Sequence, residues 1–191
     1  MANTPWGRSD YCQEENAGIK FYGTPSHGGY YVPAKINRLI PEYMRLENGR
    51  GGAGWYEEDC DWCLPVLHLG TPYFPTVTYK TLAQAWETFK NWHPASYEKY
   101  TGVTLREGES YMRDDELFRD RTRRQLVVVA ASGRDDGMVV CHACIGGRGK
   151  DGRYQGALRL FLVPKDEYKA GRFGFIIDPE KYREIEDAKA A

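Results

Sequence analysis

Three things are scarce in this sequence. Net charge is nearly absent: 26 Lys and Arg face 27 Asp and Glu, leaving −1. That gives no support for a general electrostatic grip on nucleic acid, which needs a strongly basic surface. Long apolar runs are also missing. No segment approaches about 18 consecutive apolar residues, so no membrane-spanning helix is expected. The opening stretch MANTPWGRSDYCQEENAG lacks the apolar core of a signal peptide. Cysteine stands at five, an odd number in a chain of 191 residues. A chain this long buries roughly 70% of its unfolded surface and needs no covalent staple. Free thiols and a cytoplasmic location are the expectation.

What the sequence has in excess is aromatic surface: 14 Tyr and 5 Trp. Each has an apolar body and a polar handle, which suits half-buried positions and binding surfaces. GIKFYG (18–23) and GYYVP (29–33) read as two strands of a hairpin, with Pro25 and Gly28 supplying the turn. AKINRLIPEYMRLENG (34–49) keeps helical spacing at Ile36, Leu39, Ile40 and Tyr43. Pro41 splits it into a kinked helix or two short ones, ended by Asn48-Gly49. RGGAG (50–54) reads as a flexible joint.

A helix is predicted over 81–93, with Thr81 and Gln84 at capping-box spacing. Leu82, Ala85, Trp86, Phe89 and His93 share its apolar face, so Trp86 and Phe89 are expected to be buried and Lys90 to face outward. Pro94 stops this helix and opens a second, closed by Gly102. Residues 110–122 form a highly charged helix anchored by Leu117 and Phe118. After Arg124 the pattern turns to strands at 125–131, 138–145, 157–164 and 173–178. Asp178-Pro179 then reads as the start of a terminal helix packed down by Tyr182 and Ile185. The expectation is one α+β domain over 1–191. An N-terminal hairpin and helical part covers 1–123, and a β-rich part with a four-stranded antiparallel sheet covers 124–191.

The stretch GWYEEDCDWC (54–63) draws the chemistry. Cys60/Cys63 and Cys141/Cys144 are two Cys-x-x-Cys pairs, the raw material of a tetrathiolate zinc site. They stand too far apart for a compact zinc ribbon, and strand residues three apart point to opposite faces. Tyr56, Cys60, Cys63, Leu64 and Leu67 instead fit one helical stripe with its cysteines buried. Glu57, Glu58 and Asp59 would then sit in the first turn, where the helix dipole favours carboxylates. Pro65 would end or bend that helix near Leu64. Neither a structural metal nor a cofactor is expected.

A catalytic alternative uses His27, in the turn TPSHGG, with Glu57, Glu58 or Cys60, as a small hydrolase or metal-dependent enzyme. It requires the turn and residues 55–61 to adjoin. Asp114, Asp115 and Glu116 together with Glu57 and Glu58 offer oxygen ligands for a divalent cation, although acidic clusters are usually solvated faces. GRGKDG (147–152) matches G-x-G-x-x-G, but a strand follows where a dinucleotide site needs a helix. Arg119, Arg121, Arg123 and Arg124 form a basic cluster, read either as intrahelical ion pairs or as a patch for an acidic partner.

TPWG (4–7), GIKFYGTPSHGGYYV (18–32), GWYEEDCDW (54–62), REGES (106–110), LVPKDEY (162–168) and RFGFIIDP (172–179), in that order, resemble the bacterial domain-of-unknown-function family numbered seven thousand and seven. The resemblance runs over nearly the whole chain. It implies a phage- or plasmid-associated protein of unestablished activity, and it transfers no catalytic residue. By analogy it suggests an accessory protein that binds a host or defence-system protein. The four arginines, read from their exposed place before an interior strand, are the expected contact.

Overall fold

The computed structural model describes residues 2–46 and 54–186. The chain divides into two compact units, Met1–Arg113 and Asp114–Ala191.

The first unit opens with two short paired strands, β1 (Asn3–Thr4) and β2 (Gly7–Arg8). A four-stranded antiparallel sheet follows in chain order: β3 (Tyr11–Glu14), β4 (Lys20–Gly23), β5 (Gly28–Tyr31) and β6 (Trp55–Glu57). The predicted hairpin is its centre. The Thr24 N–H and hydroxyl both donate to His27 O, at 2.8 and 2.7 Å, closing the turn. Pro41 splits the next segment as expected, into α1 (Ala34–Asn37) and a 3-10 turn at Glu42–Met44. The predicted stop at Asn48-Gly49 and most of the 50–54 joint lie outside the described residues.

α2 (Cys63–Leu69), α3 (Tyr79–Trp92) and α4 (Pro94–Thr101) complete this unit. The helix at 81–93 begins earlier than expected. Thr78 is its cap and accepts from the Thr81 N–H at 3.2 Å, so Thr81 is the third helical residue. Gly102 ends α4 in the left-handed conformation, at φ 73°. Phe89 is fully buried. Its ring lies 5.6–6.4 Å from those of Trp86, His93, Tyr97 and Tyr100. Trp86, expected inside, keeps 39% of its surface exposed. Its ring lies 6.0–6.3 Å from those of Phe89, Tyr97 and Tyr100, at the solvent edge of the cluster.

The unit boundary falls within α5 (Tyr111–Thr122), the predicted charged helix. The second unit carries β7 (Leu126–Gly133), β8 (Met138–Ile145), β9 (Arg159–Pro164), β10 (Ile176–Ile177) and β11 (Arg183–Ile185). They form one antiparallel sheet in the order β10-β7-β8-β9-β11. The sheet therefore has five strands where four were expected, and among the described residues Asp178-Pro179 starts no helix. Asp178 and Pro179 make a single turn, with Asp178 O accepting from the Lys181 and Tyr182 N–H groups. Tyr182 then enters the core and the chain extends to pair with β9, where Arg159 grips Glu184 through two bonds of 2.8 and 2.6 Å. Pairing the open β9 edge outweighs the local helical preference of 183–186. Cys141 and Phe161 are cross-strand partners at the centre of this core.

Candidate functional site

The stretch 54–63 is not a helix start. Residues 55–57 are β6, which pairs with β5 in the register Gly29↔Glu57, Tyr30↔Tyr56 and Tyr31↔Trp55. Alternation along this strand sends Tyr56 inward, where its hydroxyl donates to Asn37 Oδ1 at 2.6 Å, and Glu57 to the opposite face. The chain then turns through 58–62, with Glu57 O accepting from the Asp61 and Trp62 N–H groups at 3.1 and 2.8 Å. α2 begins only at Cys63. Pro65 sits in its first turn, where no backbone donor is missed, so it neither ends nor bends the helix. The predicted stripe thus joined buried positions from two different elements.

This arrangement brings the TPSHGG turn against residues 57–59. The Glu58 N–H donates to Gly28 O at 3.0 Å, extending the ladder one step past β6. Continued by one more residue, the register sets His27 across from Asp59, beside the Gly29↔Glu57 pair. His27, Glu57 and Asp59 therefore share one face of the sheet, and glycine occupies the fourth position. His27 Nδ1 stands 4.0 Å from Glu57 Oε1, and one ligand atom of each of the three residues lies within 4.8 Å of the others. Glu57 Oε2 is held by the N–H groups of Asp59 (2.7 Å) and Cys60 (3.1 Å). Partial burial raises the Glu57 carboxyl above its usual range against the pull of those two donors, and the Asp59 charge adds to the rise.

Cys60 is half-buried in the turn rather than in a core stripe. Its thiol faces Glu57 Oε2 and Asp61 Oδ1, each at 3.7 Å. Burial, with Asp61 and Glu57 beside it, pushes the thiol up to about 12 from the ordinary 9.0. A nucleophilic cysteine needs a depressed pKa and a positive neighbour. Cys60 has neither, which makes it unsuited to that role. Iodoacetamide should therefore leave Cys60 unmodified in native protein while exposed Cys12 reacts. Mass mapping after limited alkylation checks this, and early Cys60 adducts would refute the burial. Cys63 is fully buried, and its thiol donates to Cys60 O at 3.2 Å. Cys141 and Cys144 are both buried in β8, a strand as expected, where residues three apart point to opposite faces.

Two contributors escaped sequence reasoning. Asp59 was assigned to a helical turn instead of to a cross-strand position. His93, counted as a face residue of the helix, instead anchors the acidic turn: its Nε2 lies 3.0 Å from Cys60 O and 3.4 Å from Asp61 Oδ1. The Pro94 that follows was the one visible signal, since it ends α3 there.

In the second unit, Arg119 pairs with Asp115 one turn earlier in α5, as the intrahelical reading expects. Lys150 pairs with Glu116 at 2.6 Å. These pairs occupy Asp115 and Glu116, two of the acids that offer oxygen ligands. Arg121, Arg123 and Arg124 are exposed at the end of α5 and on the way into β7. Arg124 lines a groove with Ile145, Ile176, Asp178 and Pro179. Ile145 and Ile176 are large apolar residues left 50% and 40% exposed there. GRGKDG forms part of the loop between β8 and β9, tied by an Arg148↔Tyr154 bridge, and no helix follows it.

No helix among the described residues is long and apolar enough to cross a membrane. No curated protein and no solved structure matches the chain. A family model does match, over residues 1–123, so the LVPKDEY and RFGFIIDP stretches lie beyond the matched part. With 123 of its 191 residues so matched, the chain belongs to the family described as Domain of unknown function (DUF7007).

Proposed function

We propose that the chain is an accessory protein of a bacterial mobile element, a phage or plasmid, and works by binding a host or defence-system protein. Inhibition of a CRISPR or restriction system is the outcome this reading gives that binding. The mobile-element setting comes from the family resemblance alone and is an analogy. Binding as the mode of action is carried by one observation: the groove in which Arg124 stands beside exposed Ile145 and Ile176. Apolar side chains bordered by arginine are the composition of protein interfaces, where Arg supplies bidentate contacts and the apolar residues exclude water. A net charge of −1 keeps such contacts short-ranged.

Affinity capture with the tagged chain from a bacterial host extract, followed by mass spectrometry, tests the reading. It predicts one host protein that co-elutes with the chain in a fixed ratio. Retention of only the background seen with an unrelated bait would count against it.

A second reading, a small hydrolase or metal-dependent enzyme, is favoured by the 4.0 Å approach of His27 to Glu57. The raised Cys60 thiol confines that reading to His27 and the carboxylates.

A further inference from the structure

We propose that His27, Glu57 and Asp59 bind one divalent transition-metal ion of the Zn²⁺ or Co²⁺ type. This deepens the second functional reading by naming its ion, and is independent of the groove in the second unit. The donor set is one imidazole and two carboxylates, the ligand chemistry that such ions take in open, three-ligand sites.

Three features favour a cation here over a merely solvated face. First, the ladder fixes the ligands. His27 is placed by the Thr24–His27 turn, while Glu57 and Asp59 come from the end of β6 and the residue pair following it. The ligands thus come from two segments held in register, not from one flexible run. Secondly, Glu57 is preorganised. Oε2 is fixed by two backbone N–H groups, which leaves Oε1 as the atom turned toward His27. Thirdly, the charge is unbalanced. Glu57 and Asp59 put two carboxylates on this face, while Glu58 lies on the opposite one, where a Cβ added at Gly28 would come within 2.5 Å of its Oε2. Among the described residues no lysine or arginine pairs with Glu57, Glu58 or Asp59.

Metal–ligand bonds of about 2.0–2.2 Å put neighbouring ligand atoms roughly 3–3.5 Å apart. His27 and Asp59 are both exposed, so side-chain rotations of about 1 Å close the present separations without moving the sheet. The Trp6 ring covers Gly29 at the fourth position on this face, so solvent would complete the coordination from the open side, where His27 and Asp59 are exposed.

The test uses the full chain with its cysteines reduced. Zn²⁺ binding is followed by calorimetry and Co²⁺ binding by its visible spectrum, for the wild type and for His27→Ala and Asp59→Asn. The expected result is one equivalent per chain, a Co²⁺ spectrum without thiolate charge-transfer bands, and affinity lowered at least about tenfold in each variant. Both substitutions are at exposed positions, so unchanged melting temperatures separate loss of ligand from loss of fold. Absence of binding at millimolar metal, thiolate bands, or affinity retained in both variants would overturn the proposal. None of these outcomes bears on protein capture through Arg124, so the two functional readings can fail separately.

Discussion

Phe89→Ala is expected to lower the unfolding free energy by about 3–5 kcal/mol, the range for removing a buried aromatic ring. The ring has no exposed surface, and four others surround it, drawn from α3, α4 and the His93 between them. Truncation removes the transfer free energy of the ring and leaves a cavity whose walls, built of two helices joined at His93-Pro94, cannot close fully. Edge-on contacts with Tyr97 and Tyr100 are lost as well. Domains are commonly stable by about 5–15 kcal/mol, so the loss is a large share of the total. Trp86→Ala should cost much less, because that ring is 39% exposed. Urea unfolding of both variants checks the ranking; a Phe89→Ala loss below that of Trp86→Ala would refute the placement of the core.

Gly29→Ala has the second large effect. A Cβ at this position would lie 2.3 Å from Tyr56 O and 2.3 Å from a ring carbon of Trp6. The tryptophan can shift; the carbonyl cannot, because it belongs to β6 and is paired across the sheet. Relief requires β5 and β6 to separate. Overpacking of this kind costs about 1–3 kcal/mol and more when backbone must move. Gly133→Ala serves as the control. Nothing lies within 4 Å of a Cβ there, so its stability should be unchanged or slightly higher. Gly29→Ala should be the less stable variant of the two in a thermal melt, and equal melting temperatures would contradict the sheet register.

That register separates what was legible in the sequence from what was not. The β4–β5 hairpin, α4, α5 and the three long strands β7–β9 were readable because their signals are local. Turn residues, a proline at the first helical position and unbroken apolar runs act within a few residues of themselves. β6 was hidden because Tyr56, Cys63, Leu64 and Leu67 imitate one helical face, although position 56 is buried by a strand and 63–67 by a helix. β11 was hidden for the opposite reason. Its residues favour a helix on their own, and only the open edge of β9, some 20 residues earlier in the chain, makes them extend. The candidate site depends on the same long-range step. His27 and Asp59 are adjacent only because β5 pairs with β6. The sequence supplied His27, Glu57, Glu58 and Cys60 as residues of interest, while the pairing selects His27, Glu57 and Asp59 from the neighbourhood. The arginine cluster was legible as a cluster. What the sequence did not reveal is that Arg119 is spent on Asp115, or that exposed Ile145 and Ile176 stand beside Arg124.

The most direct test of action by binding is the affinity of the captured host protein for the wild type and for a variant carrying Arg123→Glu and Arg124→Glu. Both arginines are exposed at the entry to β7, and Arg124 lines the groove. Charge reversal at a contact of this kind is expected to weaken binding by about tenfold or more, while the melting temperature stays within a degree or two of the wild type, as surface changes usually allow. Equal affinities for the two proteins, both folded, would contradict the assignment of the interface to this groove.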